Sequence, residues 1–204
     1  MAKTPEHWDQ VYSTKNDDEL SWYQAHPEHS LDLIRSAASN ISASILDVGG
    51  GVSRLIDALL ALGYSDLTVL DVSKAALDRS KERLGKLAER VSWITADITQ
   101  WSPLRTWDVW HDRAVFHFLT SAMDQDTYIA TLESATKPGS VAIIATFALD
   151  GPERCSGLPV QRYSPATLKA RIGEQFELVS EASQSHSTPW GSVQKFAYSV
   201  LKRR

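Results

Sequence analysis

The chain has 204 residues, 43% of them hydrophobic and 23% charged, which suits one sizeable α/β domain with an ordinary buried core. Its net charge of −4 gives no sequence-wide reason to expect a nucleic-acid partner. The single cysteine, Cys155, excludes an internal disulfide and any multi-cysteine metal site, so no metal is expected.

The N-terminus, M-A-K-T-P-E-H-W-D, lacks a hydrophobic signal core. The longest apolar run, Val141 to Leu149, is too short to span a bilayer. A soluble cytoplasmic protein without a membrane partner, monomeric or weakly dimeric, is therefore expected. Pro5 to Tyr12 reads as a short helix with Trp8, Val11 and Tyr12 on one side, and residues 13–19 read as a polar loop. Ser21-Trp22-Tyr23-Gln24 follows, and Pro27 opens a helix whose Leu31, Ile34 and Ala38 point inward. Two aromatic clusters ahead of the first core strand are either a hydrophobic cover for the sheet or a lid over a pocket.

Ser44 to Leu55 reads S-I-L-D-V-G-G-G-V-S-R-L. Ile45 to Val48 is a short apolar strand that breaks at Gly49, Gly50 and Gly51. Val52, Leu55, Ile56, Leu59, Leu60 and Leu62 then recur at helical intervals. A strand turning through glycine into a helix brings backbone N–H groups close to a ligand. The dinucleotide fingerprint is broken, because Arg54 stands where its last glycine belongs. Asp47, just before the glycines, would repel a pyrophosphate but suits a ligand bearing an ammonium group. The D-x-G-x-G of Asp47 to Gly51 resembles the first motif of the class I S-adenosylmethionine-dependent methyltransferases.

Leu67 to Leu70 forms the second strand, ending in Asp71 and Val72. Asp71 stands 24 positions beyond Asp47, close to the interval at which a second-strand acid meets a ribose in Rossmann-like domains. Asp71 or Ser73 would serve equally as the cap of a helix from Lys74 to Glu89. Val91 to Ile94 is the third strand, followed by Asp97-Ile98. That pair resembles the family's adenine-recognising position, which implies Asp97 for the exocyclic amine and the Ile98 N–H for a ring nitrogen. In this reading Trp8, Trp22, Asp47, the three glycines, Asp71, Val72, Asp97, Ile98 and Asp112 contact S-adenosyl-L-methionine.

Trp107 to Leu119 begins as a fourth strand and then becomes too polar to continue it. His111, Asp112, Arg113 and His117 crowd that strand end, either as an ion pair and a helix-face histidine or as catalytic equipment. Asp112, with His111 or His117 as alternative base, is the catalytic candidate, and Arg113 is the candidate for a thiolate or carboxylate on the acceptor. A helix around Tyr128 to Ala135 ends at Lys137-Pro138-Gly139, and Val141 to Phe147 is a strand buried on both faces. Asp150 to Pro159 is loop by composition, Ser164-Pro165 opens another helix, and Phe176–Val179 with Phe196–Leu201 are the last strands. Tyr12, Tyr23, Arg154, Cys155 and His186 complete the candidate substrate-binding set.

The expected fold is a Rossmann-like, doubly wound seven-stranded α/β sheet of strand order 3-2-1-4-5-7-6 with a C-terminal antiparallel β-hairpin. Residues 1–43 would be a helical, aromatic lid and 44–204 the core of a single methyltransferase domain. The Asp112-Arg113-Ala114-Val115 run and the early tryptophans resemble the thiopurine methyltransferase-like branch, which implies a small-molecule acceptor, above all a thiol or selenol. The alternatives are a protein lysine methyltransferase, whose small members resemble the chain in the glycine motif, and a non-catalytic S-adenosylmethionine-binding regulator.

Overall fold

The computed structural model describes residues 5–38 and 40–204. Helices α1 (Pro5–Thr14) and α2 (Glu28–Ala37) precede strand β1 (Ser44–Val48), helix α3 (Leu55–Ala61), strand β2 (Asp66–Asp71), helix α4 (Lys74–Leu84) and strand β3 (Val91–Thr95). Then come β4 (Trp107–Arg113), α5 (Ala122–Ser134), β5 (Thr136–Phe147) and the two-residue strands β6 (Arg154–Cys155) and β7 (Leu158–Pro159). Helix α6 (Pro165–Ile172) and strands β8 (Phe176–Ser187) and β9 (Val193–Arg203) close the chain. The sheet runs β3-β2-β1-β4-β5-β9-β8, parallel from β3 to β5 and antiparallel in its last two pairings. This is the expected order and the Rossmann-like methyltransferase fold, with β6 and β7 making a separate hairpin from the segment read as loop.

Central strands are apolar on both faces because both faces are covered. Ile45 and Val109 join Leu59 and Ile34 on one side, while Leu46, Trp110 and Ile144 join Leu132 and Leu168 on the other. Each such side chain removed from water contributes about 1.5–3 kcal/mol before ordering costs.

The structure differs from the sequence reading at several boundaries. Strand β4 continues through His111, Asp112 and Arg113, because the ladders to β1 and β5 hold its backbone while the side chains of His111 and Asp112 find partners on either face. Lys137-Pro138-Gly139 lies at the start of β5, where Trp107 already pairs with Thr136 ahead of an irregularity that frees the proline from ladder bonding. Helix α4 ends at Leu84, and Gly85, with φ of 55°, turns the chain into a 3₁₀ segment. Strand β8 extends to Ser187, so His186 is a strand residue, and α3 starts at Leu55 rather than at Val52.

Asp112 organises the turn after β4. Its fully buried carboxylate accepts hydrogen bonds from Val115 N (2.8 Å), Phe116 N (3.1 Å) and Tyr128 Oη (2.6 Å), while Trp110 Nε1 donates to the same tyrosine oxygen at 2.9 Å. Between those contacts Ala114 adopts φ of 75°, a conformation that an L side chain resists. Opposite, Gly49 has φ of 68°, and a Cβ there would lie 2.1 Å from Val115 Cγ2.

Two variants check this joint by urea unfolding. Asp112→Ala leaves three donors unpaired and should lower stability by about 2–4 kcal/mol. Gly49→Ala combines a left-handed conformation with overpacking and should cost roughly 2–4 kcal/mol. Wild-type midpoints would show that the joint is not a stability determinant.

Candidate active site

A cleft with about 840 Å³ of atom-free space, its open mouth included, lies across the C-terminal ends of β1, β2 and β4. This is the edge at which open parallel sheets bind ligands. Gly49 N donates to Leu70 O at 2.6 Å, which ties the glycine turn to the end of β2. Side chains crowd that turn. A Cβ on Gly50 would lie 2.6 Å from Asp47 Oδ2, and one on Gly51 would lie 3.0 Å from both Asp71 Oδ2 and Tyr12 Oη.

Asp71 lines the cleft and is 5% exposed. Ser73 N donates to its Oδ1 at 2.8 Å. Burial pushes its pKa up from 3.8 to about 7, with the Asp47 and Asp9 charges adding to the shift and the Ser73 and Gly51 N–H groups opposing it. Val72, Asp97 and buried Ile98 line the same cleft. Asp97 also ties its own turn, accepting from Thr99 N at 2.9 Å and Thr99 Oγ1 at 2.8 Å.

An adjoining recess under the glycine turn holds Asp47, His111, Ser30 and Arg113. His111 donates from Nδ1 to Asp47 Oδ1 at 2.7 Å and meets Ser30 Oγ through Nε2 at 2.9 Å. The second Asp47 oxygen, Oδ2, is buried and has no donor among the described residues. A buried carboxylate oxygen in that condition costs free energy until a donor reaches it. The His111 link therefore fixes one oxygen and presents the other.

The N-terminal segment closes the cleft from above. Trp8 packs edge-on against Phe118 (5.2 Å between ring centroids) and Trp22 (5.8 Å), and Tyr12 against Trp22 (6.1 Å). Trp8, Tyr12 and Trp22 line the cleft, while Tyr23 lines the recess. Two anchors hold this roof. Asp9 Oδ1 accepts from Ser73 Oγ (2.6 Å) and Ala75 N (3.1 Å), so α1 helps to cap α4. Asp17 pairs with Arg79, Arg54 and Arg83.

Other candidates stand elsewhere. Asp112 lies behind the cleft wall, and burial raises its pKa to about 6 against the hydrogen bonds from Tyr128, Val115 and Phe116. His117 is fully buried between Phe118 and Phe147. Its Nδ1 accepts from Phe147 N, and burial followed by the Arg113 charge lowers its pKa to about 3, which keeps the ring neutral. Arg154 is exposed and bonds Gly157 O. His186, also buried, donates to Ser21 O at 2.8 Å. Cys155, brought over by β6, does line the cleft, with its thiol pushed up to about 11 by burial. Sequence reasoning missed Phe118 and Leu119 as cleft walls and Ser30 and Asp9 as anchors. Phe118 was detectable as part of an apolar run, whereas Ser30 and Asp9 act across more than 60 positions of chain.

Residues 45–139 match the family model described as "Methyltransferase domain". Nodulation protein S of Bradyrhizobium diazoefficiens is 30% identical over 105 residues, covering 52% of this chain and 49% of that protein. The chain thus spans about half the length of the first curated relatives it matches. EEF1A lysine methyltransferase 2 of Danio rerio is 28% identical over 162 residues, 70% of this chain and 68% of that one. The solved N-methyltransferase NodS from Bradyrhizobium japonicum WM9, in complex with S-adenosyl-L-homocysteine, superposes with a TM-score of 0.74 at 16% identity over 98% of this chain and 99% of that chain. Motif match, strand order and cleft position agree: residues 45–139 are similar to a methyltransferase domain, and the sheet has the Rossmann-like methyltransferase fold.

Proposed function

We propose that the chain is an enzyme that transfers the methyl group of S-adenosyl-L-methionine to a nitrogen or sulfur nucleophile on a small molecule. The observation that carries the proposal is the buried, donorless Oδ2 of Asp47 beside a glycine turn, in a recess that adjoins the cleft bearing Asp71. Such an oxygen suits the cofactor's ammonium group, and the bared turn suits its aminoacyl chain. Asp71 would accept both ribose hydroxyls. Asp97 and the Ile98 N–H would face the adenine.

The cofactor supplies an electrophilic methyl group on a sulfonium centre. This chain's residues have to align an acceptor with that group and keep water away. Trp8, Tyr12 and Trp22 form the dry roof, and their ring faces attract a cation. Among the described residues no strong base lines the cleft apart from the acids assigned to the cofactor, because Asp112 and His117 are turned into the core. An acceptor that attacks without prior removal of a tightly held proton is therefore favoured: a neutral amine, or a thiol that is partly ionised at neutral pH. Asp112 would act by positioning the Ala114–Phe116 turn. A protein lysine is the second reading, favoured by the similarity to the Danio rerio enzyme.

Two outcomes are expected. Asp71 must be ionised to accept two hydroxyls, so affinity for S-adenosylhomocysteine should be about tenfold weaker at pH 6 than at pH 8, with the change centred near pH 7. Because its folded pKa is raised, the free protein holds extra protons between its ordinary value and about 7, and its stability should fall as pH rises through that window. Asp71→Asn should flatten the binding profile in calorimetry and remove the part of the stability change centred near pH 7, leaving that of Asp112 at lower pH; an unchanged pH dependence of binding in the variant would remove Asp71 from the ribose role. Secondly, radiolabelled methyl transfer should enter small amines or thiols in an acceptor panel. Label appearing only in lysate protein would establish the lysine reading instead.

A further inference from the structure

Behind the Asp47–His111 pair lie two buried hydroxyls, those of Ser30 and Tyr198. Ser30 stands in the first turn of α2 and is 2% exposed. Its Oγ meets His111 Nε2 at 2.9 Å and, much less closely, Tyr198 Oη at 3.5 Å. Tyr198, on β9, donates its own proton to Gln184 Oε1 on β8 at 3.0 Å. A series of polar groups thus crosses from β1 through β4 and α2 to the far side of the sheet.

Proton accounting leaves two arrangements. His111 Nδ1–H donates to Asp47 Oδ1, so a neutral ring presents a bare Nε2 that only a donor can satisfy. Tyr198 has committed its proton to Gln184, so its oxygen can only accept. The Ser30 proton therefore goes to Nε2 beside a neutral imidazole, or to Tyr198 with Nε2 protonated and an imidazolium against Asp47. The 2.9 Å contact serves both arrangements, whereas the second also needs a bond across 3.5 Å, the outer limit of such contacts.

The charged groups around the ring pull both ways. Asp47 on β1 and Asp112 on β4 favour a proton on Nε2, and Asp71 on β2 adds its charge beside Asp47. Arg113 on β4 and burial of the ring oppose it, while burial keeps His29, edge-on to Tyr198 from α2, toward its neutral form. A hydroxyl donating to the bare nitrogen stabilises the neutral ring and decides the balance. The consequence reaches the recess, because an imidazolium there would cancel the Asp47 charge and leave little attraction for a cation.

We propose that Ser30 is a positioning residue: it donates to His111 Nε2, keeps the imidazole neutral, and so leaves Asp47 with its full charge and its Oδ2 directed into the recess. This rests on the methyltransferase reading above, in which Asp47 holds the cofactor's ammonium. The order hydroxyl–imidazole–carboxylate is that of a hydrolytic triad, but Ser30 is buried and acts through His111.

Two measurements on the full chain test this. Nitrogen-15 spectra of the histidine rings at neutral pH report the protons on His111, and calorimetry compares S-adenosylhomocysteine with its desamino analogue, in which hydrogen replaces the ammonium. The wild type should show a bare Nε2. Ser30→Ala should shift that resonance toward the protonated position and weaken S-adenosylhomocysteine by about fivefold while leaving the desamino analogue unchanged. Ser30→Thr, which keeps the hydroxyl, should bind both as the wild type does. Tyr198→Phe should do the same, because its oxygen only accepts. A doubly protonated wild-type ring overturns the proposal, and so does a folded Ser30→Ala that loses both ligands equally or neither. Should Ser30→Ala not fold, the wild-type spectrum and Tyr198→Phe decide: selective loss of S-adenosylhomocysteine in Tyr198→Phe places the Ser30 proton on Tyr198 and overturns it. Absence of S-adenosylhomocysteine binding to the wild type would refute the methyltransferase reading instead, and equal affinity for the two ligands would refute the Asp47 assignment. In either case the ring spectra of the free wild type and Ser30→Ala still decide Ser30.

Discussion

A carboxylate placed where water cannot reach, at Asp112, costs several kcal/mol unless its oxygens are occupied, and here three donors occupy them. Those donors come from the turn after β4 and from α5, so the charge welds a left-handed Ala114 and the following 3₁₀ turn onto the sheet. Much of the site depends on that weld. Val115 closes on Gly49, Phe118 meets Trp8, and Arg113 leaves the strand at the angle that takes it into the cleft. Strain of about 1–3 kcal/mol at one residue persists only where the surroundings over-determine it, and the Asp112 hydrogen bonds supply that.

The roof is held by different physics. Aromatic pairs among Trp8, Tyr12, Trp22 and Phe118 are worth on the order of 0.5–1.5 kcal/mol each beyond their burial. Asp17 sits among three arginines, partly exposed, where single ion pairs contribute little but a network with shared geometry contributes more. Asp9 reaches the cap and first turn of α4 through Ser73, two residues past Asp71, and Ala75. Segments joined to the domain by such modest terms open at lower free energy than its strands do. A cleft that admits and releases a ligand would require that difference.

Four charged groups, Asp47, Asp71, Asp112 and Arg113, meet around the ends of β1, β2 and β4. Only Asp112 has its charge fully answered by the fold. His111 answers half of Asp47, Ser73 part of Asp71, and Trp22 and Phe196 part of Arg113. A protein selected for stability alone would replace such groups with apolar ones at little loss. Charges gathered at one sheet edge and only partly answered by the fold are what the proposed cofactor site would complete.

Much of this was legible in the chain itself. Apolar runs of strand length, the three-glycine break and acids at successive strand ends determined the sheet, its order and the edge that carries the cleft, because those features act locally or through one repeated βα unit. What only the tertiary structure decided was the division of labour among the charged residues of β4. In sequence, His111, Asp112, Arg113 and His117 are equivalent polar groups at a strand end. In the fold, side chains alternate across the sheet, so His111 turns to Asp47 and α2 while Asp112 turns to Tyr128 on α5. His117 is lost between two phenylalanines, and Arg113 alone keeps free donors toward the cleft. Strand pairing across 64 positions set His111 beside Asp47, and no local spacing encodes it.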